Sequence, residues 1–384
     1  MLASTKHPSG KFRQPPPAAS PVPVADVIVV GGGLAGLTAA LACAQRGLEV
    51  SMIDAAHRGA ATDASAGVLG PSIGRGPKGG RVGRFMFAAR DRFPGFLDEL
   101  QERTGIPVPI AHGALELALN PTHLAELRAR AAALADARVL NATEVAELDE
   151  ALVPVAGALY HPLDGAVHVP ALRAALAKAA RLSPRATVIA GKVTHVAVAG
   201  LPLPNVTLDD GTRHAASHVI VAAGAWLPAI GGLPRAIPIR PVKGEIAVAA
   251  ALAPPQNVVF GAGGYLVPRD GALLVGATSE EAGFDSEPTA TGAAALADTG
   301  RSLRRDWPVA SPFTAQQAGL RPMTPDGYPI LGRDPDEPRL FYACGYSRNG
   351  VLVSPLAADC LAALVVGEDP GFDLTPFAVT RFGG

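Results

Sequence analysis

Residues 27–30 form an unbroken run of β-branched apolar side chains, the pattern of a strand buried on both faces. Residues 34–46 then shift to helical composition and 49–53 return to strand. The chain therefore opens on a βαβ unit, which predicts a parallel sheet with a right-handed crossover. Helical patterns follow at 83–104, 123–136 and 170–181, and strand patterns at 187–198, 205–208 and 218–222. Between 237 and 279 short apolar stretches are punctuated by Pro-Pro, Gly-Gly and Asp-Gly, which predicts a second, mainly antiparallel sheet. Near the end, Ser354-Pro355 reads as an N-cap followed by proline at the first helical position. Leu356, Cys360, Leu361 and Leu364 then share one apolar helix face. The chain carries no internal repeat.

Length and charge narrow the class. The 384 residues suffice for two domains, since single cores stop growing at roughly 250 to 300 residues. Lys plus Arg is 33 against Asp plus Glu at 34, so there is no basic field to hold a phosphate backbone, and nucleic acid is not expected as a partner. Cys43, Cys344 and Cys360 form no C-x-x-C pair and fit no metal spacing with histidine, and their odd number argues for a reducing cytoplasm. His161, His168, His195 and His218 fit no triad or metal spacing either, so no metal is expected. Residues 1–24 carry six prolines and no apolar core of signal-peptide length, and read as a disordered tail. The stretch 27–45 has 19 residues without a charge, but Gly31, Gly32 and Gly33 interrupt any membrane helix there.

Those three glycines begin the chemistry. Gly31-Gly32-Gly33-Leu34-Ala35-Gly36 is a G-x-G-x-x-G turn between a strand and a helix, and Asp54 closes the next strand 18 residues past Gly36. Such glycines let a pyrophosphate approach the helix N-terminus, and the acid accepts hydrogen bonds from ribose hydroxyls. Asp54 disfavours a 2′-phosphate, so the dinucleotide is FAD or NAD; a tight turn without ligand is the bland alternative.

Segments further along carry a family resemblance. Tyr265-Leu-Val-Pro-Arg-Asp-Gly-Ala-Leu-Leu-Val-Gly-Ala-Thr, Gly319-Leu-Arg-Pro-Met-Thr-Pro-Asp-Gly-Tyr-Pro-Ile-Leu-Gly and Gly345-Tyr-Ser-Arg-Asn-Gly-Val-Leu resemble signatures of the D-amino-acid oxidase superfamily of flavoproteins. Ala222-Ala-Gly-Ala-Trp226 and Pro241-Val-Lys-Gly-Glu245 join them, in order, and the closest branch is the glycine oxidases of thiamine biosynthesis. The resemblance implies an α/β protein with a Rossmann-like FAD-binding domain (25–107, 165–234 and 314–379) and a substrate domain on a mainly antiparallel sheet (108–164 and 235–313). It also implies oxidation of glycine or a similar small amino acid to an imine, with hydrogen peroxide if oxygen is the acceptor, and supply of that imine for thiazole synthesis. A D-amino-acid or sarcosine dehydrogenase, or an accessory flavin-binding subunit, remains the alternative. A homo-oligomer is compatible with the resemblance.

By the same resemblance, Gly31, Gly33, Leu34, Ala35, Gly36, Asp54 and Ala55 hold the dinucleotide, while Ala61, Thr62, Ala66, Gly67 and Val68 wrap the flavin. Val193 meets the adenine through its backbone, and Tyr346, Ser347, Arg348, Asn349, Gly350, Val351 and Leu352 pass beside the isoalloxazine ring. Arg321 matches the residue that holds the substrate carboxylate, Arg348 a second arginine in the pocket, and Tyr265 a tyrosine on the same carboxylate. A guanidinium suits that task, because its planar fork binds a carboxylate bidentately; structural salt bridges and a core tyrosine are the alternatives. No protein side chain is expected as catalyst, the cofactor supplying the hard step.

The sequence also departs from the pattern. Tyr346-Ser347 replaces the histidine and aromatic residue usual before Arg-Asn-Gly, and the basic, glycine-rich segment 74–84 reads as a solvated loop. No cysteine lies at Arg321 or Pro322, where sarcosine oxidases attach FAD, so the flavin is expected to be noncovalent.

Overall fold

The computed structural model describes residues 24–74, 79–250, 252–310 and 312–383. The expected tail, apart from Val24, and residues 75–78 of the basic segment lie outside the described residues. Among the described residues the strands form two sheets, one of eight strands and one of nine.

In the first sheet the apolar strand Val24–Val30 is central, parallel to Val50–Asp54 on one side and to Arg213–Val221 on the other. Ala186–Ala190 and Leu340–Cys344 extend the parallel run, and Ile330–Arg333 closes one edge antiparallel. Burial on both faces explains the unbroken apolar pattern: Val27, Ile28 and Val29 have no exposed surface. Helices Leu34–Gln45, Gly80–Thr104, Val169–Leu182 and Gly350–Val366 pack on one face in a common core. The charge-free stretch 27–45 is thus a strand, a turn and a short helix, and no helix among the described residues is long and apolar enough to cross a membrane.

The second sheet is mainly antiparallel, in the spatial order Phe313–Met323, Arg240–Ala249, Ala272–Gly276, Gly264–Arg269, Val258–Gly261, Ile110–Ala118, Gly157–Val167, Val68–Leu69. Only the pairing of Val258–Gly261 with Ile110–Ala118 is parallel among those strands. The long register of Phe313–Met323 on Arg240–Ala249 keeps the chain in this sheet until Met323, ten residues past the expected crossing at 313.

Three local expectations need correction. The strand pattern at 187–198 is two strands, Ala186–Ala190 and Val193–Ala197, because the chain turns at Gly191, whose N–H donates to the Asp54 carbonyl at 3.0 Å. The last helix does not start at Ser354-Pro355. It runs Gly350–Val366 from Asn349; the Ser354 hydroxyl donates back to the Gly350 carbonyl, and Pro355 is tolerated inside a helix buried on nearly every side. Finally, residues 80–84 of the basic segment are the first turn of helix Gly80–Thr104, not loop, and Arg81 pairs with Asp373 at 3.0 Å.

Candidate active site

The strand-to-helix turn at Gly31 is built by close packing. Gly31 has φ +112°, and a Cβ on Gly36 would fall 1.8 Å from the Gly31 carbonyl oxygen, so this turn admits no side chain at either place. Gly36 therefore packs the turn and does not face the cavity described next. The Gly32 N–H donates to Asp54 Oδ1 at 3.1 Å, which brings the carboxylate against the turn. Helix Leu34–Gln45 has Gly33 as its N-cap without a side-chain cap, and the Leu34 N–H donates to Thr62 Oγ1 at 3.1 Å. Thr62 thus takes one amide of this end, which still faces the cavity described next through Leu34 and Ala35 and presents its positive pole to an anion there.

A cavity of about 770 Å³ joins this turn to the second sheet. At one end it is lined by Gly31, Gly33, Leu34, Ala35, Asp54 and Ala55, with Val193 beside them. Its middle is formed by Ala61, Thr62, Ala66, Gly67 and Val68. Gly67 sits at φ +80° with no room for a Cβ, which would lie 2.0 Å from the Val167 carbonyl oxygen. Tyr346, Ser347, Arg348, Asn349, Gly350 and Val351 bring the N-terminus of the last helix to the same cavity. Leu352 does not: it is buried in the helical core. Ser347 holds a left-handed conformation, φ 52°, fixed by its N–H donating to the Pro322 carbonyl at 3.2 Å.

At the other end stand Tyr265 and Arg321, on neighbouring parts of the second sheet. The Arg321 Nη1 donates to the Thr278 carbonyl at 3.0 Å, and the side chain makes no ion pair among the described residues; burial pulls its pKa below the usual guanidinium value, and Arg348 adds to that. Tyr265 is pushed up by burial, while Arg321, Arg269 and Arg348 pull the other way, so three cations surround one phenol. Its hydroxyl makes no hydrogen bond among the described residues. Arg348, largely exposed, makes no ion pair among them either.

Two glycines that sequence reasoning did not single out shape this end. A Cβ on Gly244 would lie 2.1 Å from Arg321 Nη1, and one on Gly276 would lie 2.3 Å from the Tyr265 ring, so each glycine leaves room for one of these side chains against the sheet. Gly244 does fall in the Pro241-Val-Lys-Gly-Glu245 motif, which was the available signal. His57 and Trp226, stacked with centroids 4.4 Å apart, also wall the cavity; burial and Lys192 push the His57 pKa down. Nothing in local pattern pairs those two rings.

Glycines that admit a pyrophosphate, an uncapped helix end and a carboxylate at the end of the second strand fit FAD, which the residues from Gly31 to Ala55 would hold by its nucleotide half. The chain belongs to the FAD-dependent oxidoreductase family of D-amino-acid-oxidase type, whose model matches residues 26–364. It is 34% identical to the glycine oxidase of Geobacillus kaustophilus over 94% of this chain and 97% of that protein. The crystal structure of that enzyme superposes with a TM-score of 0.86, covering 94% of this chain and all of the other at 32% identity. The bifunctional protein ThiO/ThiG of Synechocystis is 31% identical over 93% of this chain, which spans 54% of that longer protein. The iminodiacetate oxidase of Chelativorans aligns with a TM-score of 0.82 at 27% identity, covering 92% and 98%.

Proposed function

We propose that the chain oxidises the Cα–N bond of glycine or a similarly small amino acid. The observation that carries this reading is the Arg321 guanidinium, without an acid partner among the described residues, beside the free Tyr265 hydroxyl in the cavity that begins at the glycine turn. A partly buried cation without a counter-ion is costly, and a substrate carboxylate repays that cost while fixing the Cα–H bond. The Arg321 fork anchors the carboxylate, Tyr265 donates to it, and Arg348 supports it from the cavity's exposed side. FAD held in the cavity would supply the hydride acceptor for the Cα–H bond, and the imine product would pass to water or a later enzyme. Noncovalent binding follows from the absence of cysteine at Arg321 and Pro322.

The substrate nitrogen must be neutral to support the developing imine. The rate of flavin reduction at subsaturating glycine therefore rises from about pH 6 toward about pH 9. Similarity to glycine oxidases and to a ThiO/ThiG protein supports glycine as the substrate and thiazole synthesis as the destination of the imine. The three cysteines, all free and buried, fit a reducing cytoplasm. A second reading is an N-substituted glycine carrying another carboxylate, favoured by the second cation, Arg348, without an ion pair in the same cavity. Anaerobic flavin bleaching with glycine, sarcosine, iminodiacetate and D-alanine separates these readings. Bleaching by none of them sinks the proposal, and peroxide released by the purified chain alone excludes an accessory role.

A further inference from the structure

Strand Gly264–Arg269 places Tyr265, Val267 and Arg269 on one face, by the two-residue period of a strand. Tyr265 lies in the cavity and Val267 packs with Ala66 beneath it. Arg269 reaches the segment before Gly67: its Nη2 donates to the Ser65 carbonyl at 3.2 Å and to the Ala66 carbonyl at 2.9 Å. It forms no ion pair among the described residues, and burial lowers its pKa. A partly buried cation is thus spent on two backbone carbonyls. The turn that follows is pinned as well, since Asp270 pairs with His168 at 2.7 Å, where His168 caps helix Val169–Leu182.

Peptide planarity gives this arrangement a consequence. Both peptides are trans, so carbonyls drawn toward Arg269 turn the N–H groups of Ala66 and Gly67 away from it. The Gly67 N–H has only a long contact to Ser65 Oγ, 3.3 Å, and the Ala66 N–H has no partner among the described residues. Both residues line the cavity. A buried amide without a partner is rare in a folded chain and marks a place where a ligand completes the hydrogen bonding.

We propose that Arg269 is a positioning residue for the flavin, fixing two peptide planes so that the Ala66 and Gly67 amides meet its polar edge, and adding a fixed positive charge behind them. One strand then serves both reactants: Tyr265 at its start faces the substrate, and Arg269 at its end holds the flavin loop. This inference rests on FAD binding and not on the choice of amine, so failure to oxidise glycine leaves it standing.

The test is made on apoprotein and reloaded holoprotein of R269M, R269Q and R269K. Two charge-assisted hydrogen bonds are lost in R269M, so FAD should bind about ten- to a hundredfold more weakly by fluorescence titration. The flavin midpoint potential should fall and its visible spectrum should shift, because a positive charge and two aligned donors are gone. R269K should recover part of both, the ammonium keeping the charge without the fork. FAD affinity and midpoint potential within about twofold and unshifted, respectively, would overturn the proposal. So would a loss confined to thermal stability of the apoprotein, which is what a purely structural arginine gives. Should R269M not accumulate in folded form, R269Q, which keeps one donor and loses the charge, reads the same two quantities with the same outcomes deciding.

Discussion

The two ends of the second sheet that border the cavity treat their arginines in opposite ways. Arg130 is matched within the chain: its two terminal nitrogens each lie 2.7 Å from an oxygen of Glu116, and one also donates to the Ser72 carbonyl at 3.3 Å. Burial by itself would raise the Glu116 pKa, yet His161, with Nε2 3.6 Å away, and the two hydrogen bonds from Arg130 bring it down to about 2. Asp164 nearby is held by Arg90 at 3.0 Å and by the Ser72 N–H at 3.0 Å, so this cluster ties residues 72–74 to the sheet. Among the described residues Arg321 has only the carbonyls of Thr278, at 3.0 Å, and Lys243, at 3.5 Å, and the charge of Arg348 acts against it. Even Lys243, next to Arg321's register partner Val242, is paired with Glu245 and Asp285 at 3.5 and 3.2 Å. The fold supplies acids freely around this sheet, and withholds one at Arg321. On the proposed function, that contrast separates charge used for stability from charge reserved for a ligand.

The contrast is broken most directly at Arg321. Loss of one partner of a buried ion pair costs roughly 3 to 5 kcal/mol, so R321A should lower kcat/KM for glycine on the order of a hundredfold to a few thousandfold while retaining FAD with a normal spectrum. R321K should recover part of this, since an ammonium lacks the fork. An uncharged primary amine should suffer far less; equal losses for both substrates would remove Arg321 as the carboxylate anchor. A subtler break is G244A. Its backbone is not strained, but the new methyl occupies the guanidinium's place, so Arg321 is displaced without being removed. Misplacement by about 1 Å costs on the order of a hundredfold, and KM should rise with FAD affinity unchanged. Wild-type kinetics in G244A would show that Arg321 does not need its seat on the sheet.

The sequence carried the two ends of the cavity unequally. The glycine turn, Asp54 and the flanking elements are local: each lies within a βαβ unit whose periodicities change where the structure does. Arg321 and Tyr265 were legible through motif resemblance, not through pattern, because their meeting depends on strand register across residues far apart. The Glu116 cluster was not legible at all; it gathers groups from 72 to 164 by strand pairing and two helices, Gly80–Thr104 and Pro121–Ala131. Strands Ile110–Ala118 and Gly157–Val167 went unmarked for a related reason. They are buried on uneven stretches of both faces, so no alternation of polar and apolar residues survives. Helix Ala290–Leu303 keeps helical spacing in its buried positions Gly292, Leu296, Ala297, Gly300 and Leu303, but three of those five are glycine or alanine and hardly stand out as apolar. At Ser354-Pro355 a strong local signal was overruled by tertiary packing, with Leu352 and Val353 buried ahead of it.

The same comparison can be sharpened from its structural side with E116Q, where the expected effect is on stability and not chiefly on rate. Glu116 has a folded-state pKa near 2 against an ordinary value of 4.5, and a depressed carboxylate pKa contributes stability that is present above the unfolded value and lost as pH falls through the folded one. The difference amounts to about 3 kcal/mol at neutral pH. E116Q should therefore melt several degrees below wild type at pH 7, with the gap closing between about pH 5 and pH 2 as the wild-type carboxylate takes up its proton. At neutral pH the variant's flavin-loaded fraction should lose far less kcat/KM than R321A does. Thermal melts of both proteins across that pH range decide the matter. A gap that stays constant with pH would mean that Glu116 contributes by packing alone, and a kinetic loss rivalling that of R321A would erase the distinction between paired and reserved charge on which the site assignment depends.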